Sequence, residues 1–158
     1  MTHCKTGILG NHHSKYHSRF LKWDKRNQQI SFWFATFGAG FCISSALGLK
    51  IKPIASGGKF MNVCDKIRQP DDVTMGYIIE HVLHKKLKVI EELHSHIESM
   101  QVINNNTLKH QISLSYSKIK NKMNVLTIEG INKTVDPTRL LSLHCLLYPH
   151  VSNCPSLP

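Results

Sequence analysis

Aromatic and β-branched residues follow one another without a charge in Ile30-Ser31-Phe32-Trp33-Phe34-Ala35-Thr36, which predicts a central strand over residues 30–36. Phe37-Gly38-Ala39-Gly40 then reads as a backbone-permissive turn, and Phe41 to Lys50 as a short helix. Pro53 and Gly57-Gly58 punctuate a loop. At Pro70-Asp71-Asp72 a helix begins, because aspartate side chains accept from free backbone N–H groups and Met75, Ile78, Ile79, Val82 and Leu83 recur at helical spacing; the helix is expected over about 72–85. Lys88-Val89-Ile90 reads as a short strand, and on an extended chain His94 and His96 share a face. Asn104-Asn105-Asn106 breaks the chain, a short helix precedes Ile112 to Tyr116, and Val125-Leu126-Thr127-Ile128 reads as a strand ending at Gly130. Residues 1–29 show no sustained period and are expected to form an irregular basic extension. No internal repeat occurs. Helix and strand alternate, so the fold class is α/β or α+β rather than all-helical or all-β.

Residues 30–49 are uncharged, with Arg26 before them and Lys50 after, and this stretch equals the length of a membrane span. Gly38, Gly40 and Gly48, with Ser31, Thr36, Ser44 and Ser45, favour the strand–turn–helix reading; a spanning helix is the alternative. No secretory leader is visible, because the first thirty residues are polar and rich in histidine. The length of 158 residues suits one domain or a piece of a larger one. The net charge of +10 is uneven, with Lys5, Lys15, Arg19, Lys22, Lys25 and Arg26 against Asp24 alone near the start. That segment mixes base and aromatic residues, as nucleic-acid binding requires, but it reads as a solvated tail, so no nucleic-acid partner is expected.

Five cysteines contain no Cys-x-x-Cys pair, which excludes a zinc ribbon and a thioredoxin-type site. Cys145 and Cys154 are nine residues apart; they form either a small disulfide loop or two buried free thiols. Sequons at Asn105-Asn106-Thr107 and Asn132-Lys133-Thr134 lean toward an oxidising compartment. Three clusters carry candidate chemistry. The Gly38–Gly40 turn admits close approach of a ligand, or is simply tight. Asp71-Asp72 offers a general base at a helix start, or an ordinary cap. His94 and His96 present one or two imidazoles to a metal, or are surface histidines.

In combination these segments resemble the Fringe glycosyltransferases. The likeness rests on Phe32-Trp33-Phe34-Ala35-Thr36-Phe37-Gly38-Ala39-Gly40-Phe41-Cys42-Ile43-Ser44, on Ala55-Ser56-Gly57-Gly58-Lys59-Phe60, and on Lys66 through Glu80, closest to insect-like members. Leu93-His94-Ser95-His96-Ile97-Glu98 and the stretch from Ser142-Leu143-His144-Cys145 to Cys154-Pro155 extend it, so that it covers about residues 30–155. The resemblance implies transfer of N-acetylglucosamine from UDP-GlcNAc, with inversion, to the 3-hydroxyl of O-linked fucose on EGF-like repeats of Notch. It implies Mn2+ and membrane association in the Golgi lumen. By position Asp72 matches the catalytic base and His96 the metal-ligating histidine. Asp71, Gly38, Ala39 and Gly40 would contact or support substrate, and Cys145 with Cys154 would form the family's C-terminal disulfide.

The family also carries an Asp-x-Asp motif in the N-terminal half of a GT-A fold, and no Asp-x-Asp occurs here. The expectation is therefore the C-terminal half of a GT-A glycosyltransferase over residues 30–158, without its targeting segment and inactive alone. A non-catalytic fragment binding an acceptor or partner is the alternative. Phe37 and Ser45 stand where the family has glycine and arginine.

Overall fold

The computed structural model describes residues 8–10, 19–20, 30–152 and 154. Helix and strand are mixed, as expected, and the chain divides into two compact units, residues 1–93 and 94–158.

In the first unit, β1 (Ile8–Gly10), β2 (Arg19–Phe20), β3 (Ile30–Ser31) and β4 (Phe41–Ile43) precede α1 (Ser45–Ala55), α2 (Lys59–Ile67) and α3 (Asp71–Gly76), which continues as a π-helical turn over Tyr77–Val82 before β5 (Leu87–Val89). β1 lies between β4, antiparallel, and β5, parallel, while β2 pairs with β3. The expected irregular extension 1–29 therefore holds two paired strands; the rest of it lies outside the described residues. Runs of two and three residues are too short to show a period of two.

The expected strand 30–36 is shortened to Ile30–Ser31, for a physical reason. The Trp33 backbone N–H donates to the Glu80 carboxylate instead of to a neighbouring strand. Phe32 meets Tyr77 edge to face at 5.8 Å between ring centroids. A Cβ on Gly76 would lie 2.3 Å from Phe34 Cβ and 2.9 Å from the Trp33 carbonyl oxygen, so only glycine lets the helix settle on this segment. Three successive residues are thus held by a helix rather than by a sheet. The helix expected from Phe41 starts instead at Ser45, because Ser44 Oγ accepts from Leu47 N at 3.2 Å. Residues 41–43 form β4, so residues 30–49 contain two strands and a turn, and no helix among the described residues is long and apolar enough to cross a membrane. Ala35, Leu47, Ile51, Ile78 and Ile79 form the buried core of this unit.

The second unit is built round Met100, Leu108, Leu126, Ile128 and Leu143. Short 3-10 segments span Met100–Val102 and Asn105–His110, β6 (Ser117–Ile119) and β7 (Lys122–Asn124) form a hairpin, and α4 (Leu140–Leu147) follows. The strand expected at 125–128 falls at 122–124; beyond it Leu126 and Ile128 are buried while Thr127 and Glu129 are exposed, an alternation without a ladder. Asn124 ties the hairpin down, accepting from Met100 N at 2.9 Å and donating to Glu98 O at 2.7 Å.

The start of α4 is held by a buried carboxylate. Asp136 Oδ2 accepts from both the amide and the hydroxyl of Ser142 at 2.7 Å, and Ser142 Oγ in turn accepts from Ile131 N at 3.0 Å. The buried Arg139 guanidinium donates to the Ile131 carbonyl. Burial alone would push the Asp136 carboxyl up, but the Ser142, Leu141 and Thr138 donors outweigh it and hold its pKa below the ordinary value. Cys145 on α4 is bonded to Cys154 as the resemblance implied, with Cα atoms 5.4 Å apart; Cys42 and Cys64 are free.

Gly76→Ala is expected to cost about 1–3 kcal/mol by overpacking, read as a lower urea midpoint. Gly48→Ala, with nothing within 4 Å of the new Cβ in mid-helix, is expected to gain about 0.5–1 kcal/mol. Because the folded pKa of Asp136 lies below its unfolded one, its contribution is complete above the unfolded value and is lost as pH falls through that value to the folded one. Asp136→Asn is therefore expected to cost about 1.5–3 kcal/mol at neutral pH. The gap between variant and parent should narrow below about pH 4 in urea titrations repeated across pH.

Candidate functional site

Proline at the start of α3 fixes the backbone there: Pro70 stands at φ −54°, ψ 160°, and its carbonyl accepts from Thr74 N at 2.9 Å. Asp71 and Asp72 then occupy the first turn. Asp71 Oδ1 accepts from the amide of Asp72 at 3.0 Å, and Asp72 Oδ1 from the amide of Val73 at 2.8 Å. The unpaired N–H groups of a helix start favour negative charge, so both positions suit carboxylates. Asp71 is exposed and Asp72 half-buried. Among the described residues the second oxygen of Asp72 accepts no hydrogen bond, so a lone pair is open to a hydroxyl from outside.

The glycine turn belongs to the same unit. Phe37–Ala39 makes one 3-10 turn, closed by Ala39 N to Thr36 O at 3.1 Å and Gly40 N to Phe37 O at 3.0 Å. Gly40 has φ 86°, which a side chain would strain, while Phe37 and Phe41 stack at 4.5 Å across the turn. Gly38 is exposed, but Ala39 is buried, so its side chain packs inward. No hydrogen bond joins Asp71 or Asp72 to this turn among the described residues.

His94 and His96 lie in the second unit, and they do not act as a pair. The chain turns over Ser95–Glu98, with Glu98 N donating to Ser95 O at 3.4 Å, so the extended geometry that would align them is absent. His94 is enclosed: Nδ1 meets Glu98 Oε2 at 3.1 Å and Nε2 meets Gln111 Oε1 at 2.7 Å. His96 is exposed on the turn. A hard divalent ion such as Mn2+ prefers about six ligands, mostly oxygen. Among the described residues no three His, Cys, Asp or Glu side chains gather to hold one, and His96 alone does not fit the requirement. Beyond the turn, a groove of about 770 Å³ runs between residues 97–101 and the hairpin tip 119–124, lined by Ile97, Ile119, Lys120 and Lys122. Neither His96 nor Asp72 lines it.

Sequence reasoning missed Gly76, Glu80 and Asp136. A glycine inside an apolar helical period signals a close approach, and an aspartate a few residues before the apolar run Leu140-Leu141 signals a cap; both signs were present.

A model of the Fringe-like family matches residues 7–151, which extends the likeness upstream of residue 30 into the segment that holds β1 and β2. The Fringe glycosyltransferase of Drosophila melanogaster is 54% identical over 129 residues, 82% of this chain and 31% of the relative. Zebrafish lunatic fringe, a beta-1,3-N-acetylglucosaminyltransferase, is 49% identical over 133 residues, 84% of this chain and 36% of the relative. Human manic fringe, named likewise, is 47% identical over 133 residues, with 84% and 41% covered. The chain thus spans about a third of the length of these relatives. With its matched residues running through both units, the chain belongs to the Fringe-like family.

Proposed function

We propose that this chain carries the acceptor-activating part of a Fringe-type glycosyltransferase, corresponding to the C-terminal half of a GT-A fold. It would act in transfer of N-acetylglucosamine from UDP-GlcNAc to O-linked fucose on EGF-like repeats of Notch. The observation that carries this reading is Asp72: a half-buried carboxylate, one oxygen fixed by the Val73 amide and the other open, at the start of a helix seated on residues 32–34. In an inverting displacement such a group takes the proton of the fucose 3-hydroxyl as that oxygen attacks the anomeric carbon. The bond from that carbon to the diphosphate breaks and UDP leaves. Asp71 supports Asp72 through its bond to the Asp72 amide. Gly38 and Gly40, with the backbone of Ala39, would sit near the donor sugar.

The family resemblance would make His96 one ligand of Mn2+, but among the described residues His96 stands alone, so no step is derived through the metal. Residence in the Golgi lumen, in association with its membrane, suits the Cys145–Cys154 disulfide, because such bonds persist in oxidising compartments. A second reading is a non-catalytic fragment that binds the acceptor or a partner. It is favoured by the lone exposed His96 and by the lack of an Asp-x-Asp motif in the sequence.

A chimera separates the two, in which this chain replaces the matched stretch of the Drosophila relative. Measured with UDP-GlcNAc, Mn2+ and an O-fucosylated EGF-like repeat, the chimera is expected to transfer sugar. Asp72→Asn is expected to lower kcat by about 10²–10⁴ with little change in acceptor KM. An inactive but folded chimera that still binds the acceptor supports the second reading, and an Asp72→Asn variant with full kcat removes the base assignment.

A further inference from the structure

The two sequons differ in their chemistry once the chain is folded. At Asn105 the amide Nδ2 donates to the Thr127 carbonyl at 3.0 Å. The hydroxyl of Thr107 donates to Asn104 O at 2.8 Å and accepts from Gln111 Nε2 at 3.1 Å. Both groups that a glycan transfer requires are occupied. At Asn132 the arrangement is reversed: Oδ1 accepts from the Thr134 amide at 2.8 Å, closing a local turn. Among the described residues Asn132 Nδ2 and Thr134 Oγ1 have no hydrogen-bond partner, and residues 132–135 are all exposed.

The segment that presents Asn132 is anchored at both ends. Asn132 O accepts from Val135 N at 3.0 Å and from Asp136 N at 2.9 Å, while the preceding Ile131 is bonded to Ser142 and Arg139. Val135 stands 70% exposed in the same turn, an apolar surface that a first sugar would shield from water. We infer that Asn132 is an N-glycosylation site and that Asn105 is not. In the transfer, a lipid-diphosphate-linked oligosaccharide is the donor: its C1–O bond to the diphosphate breaks and a C1–Nδ2 bond forms. Nδ2 loses one proton and the lipid diphosphate leaves, with no oxidant or metal redox step.

The inference rests on the lumenal residence proposed above, so the test supplies that residence independently. The full chain is expressed behind a cleavable secretory leader, and oxidation of Cys145–Cys154 reports arrival in the lumen. The expected result is one endoglycosidase-sensitive mass shift, lost in both Asn132→Gln and Thr134→Ala, kept in Asn105→Gln, and kept in Thr134→Ser. Oxidised chain without a glycan on Asn132, or with the glycan on Asn105, overturns the assignment.

Discussion

The close approach of the α3 backbone to residues 33–34 is the constraint on which the first unit depends. Hydrogen in place of a side chain at Gly76 lets the helix sit directly on Phe34 and on the Trp33 carbonyl. Once it is there, Tyr77 meets Phe32 and Glu80 takes the Trp33 N–H, while Ile78 and Ile79 enter the core beside Ala35. The same seating fixes the direction of the helix start, four residues upstream, where Asp72 holds its open oxygen. A methyl group at position 76 would therefore disturb packing and the proposed base together. Dense interiors transmit such displacements rather than absorbing them.

The second unit solves its own problem differently. With a small apolar core, it relies on polar closure: Asn124 joins the hairpin to the Glu98–Met100 segment, and Asp136 gathers the start of α4 through Ser142. Each of these polar groups is satisfied, which is the condition under which burying it does not destabilise. The disulfide then ties the end of α4 to the following loop. His94 is absorbed into this scaffold, bonded on both nitrogens, and His96 is left on the surface.

Much of this was legible from local pattern. Helical spacing from Met75 to Leu83 found α3 and its extension, and the proline and aspartates found its start to within one residue. The strand near residue 88 and the mixed fold class were also readable. What local pattern could not give was decided by partners distant in sequence. Residues 32–36 have the composition of a strand, but the Trp33 amide finds Glu80, 47 residues away. Ser44 outcompeted the apolar Phe41-Cys42-Ile43 as the helix boundary, a capping signal that hydrophobicity hides. α2 carries an apolar stripe at Phe60, Val63, Cys64 and Ile67, yet α2 and α4 were missed because neither starts at a side-chain cap: α2 follows a left-handed Gly58 and α4 a left-handed Arg139. The proposed site was readable as residue types, since Asp72 and His96 were named from motifs. The alignment of His94 with His96 was not, because a turn at residues 95–98 replaced the extended chain.

The central claim, that the helix bearing Asp72 is seated on residues 33–34 through Gly76, is tested most directly by nuclear Overhauser spectroscopy on the isotopically labelled chain. Strong cross-peaks between the Gly76 α-protons and the Phe34 β-protons are predicted, since no side chain intervenes. Well-resolved resonances for both residues with no cross-peak between them would contradict the account.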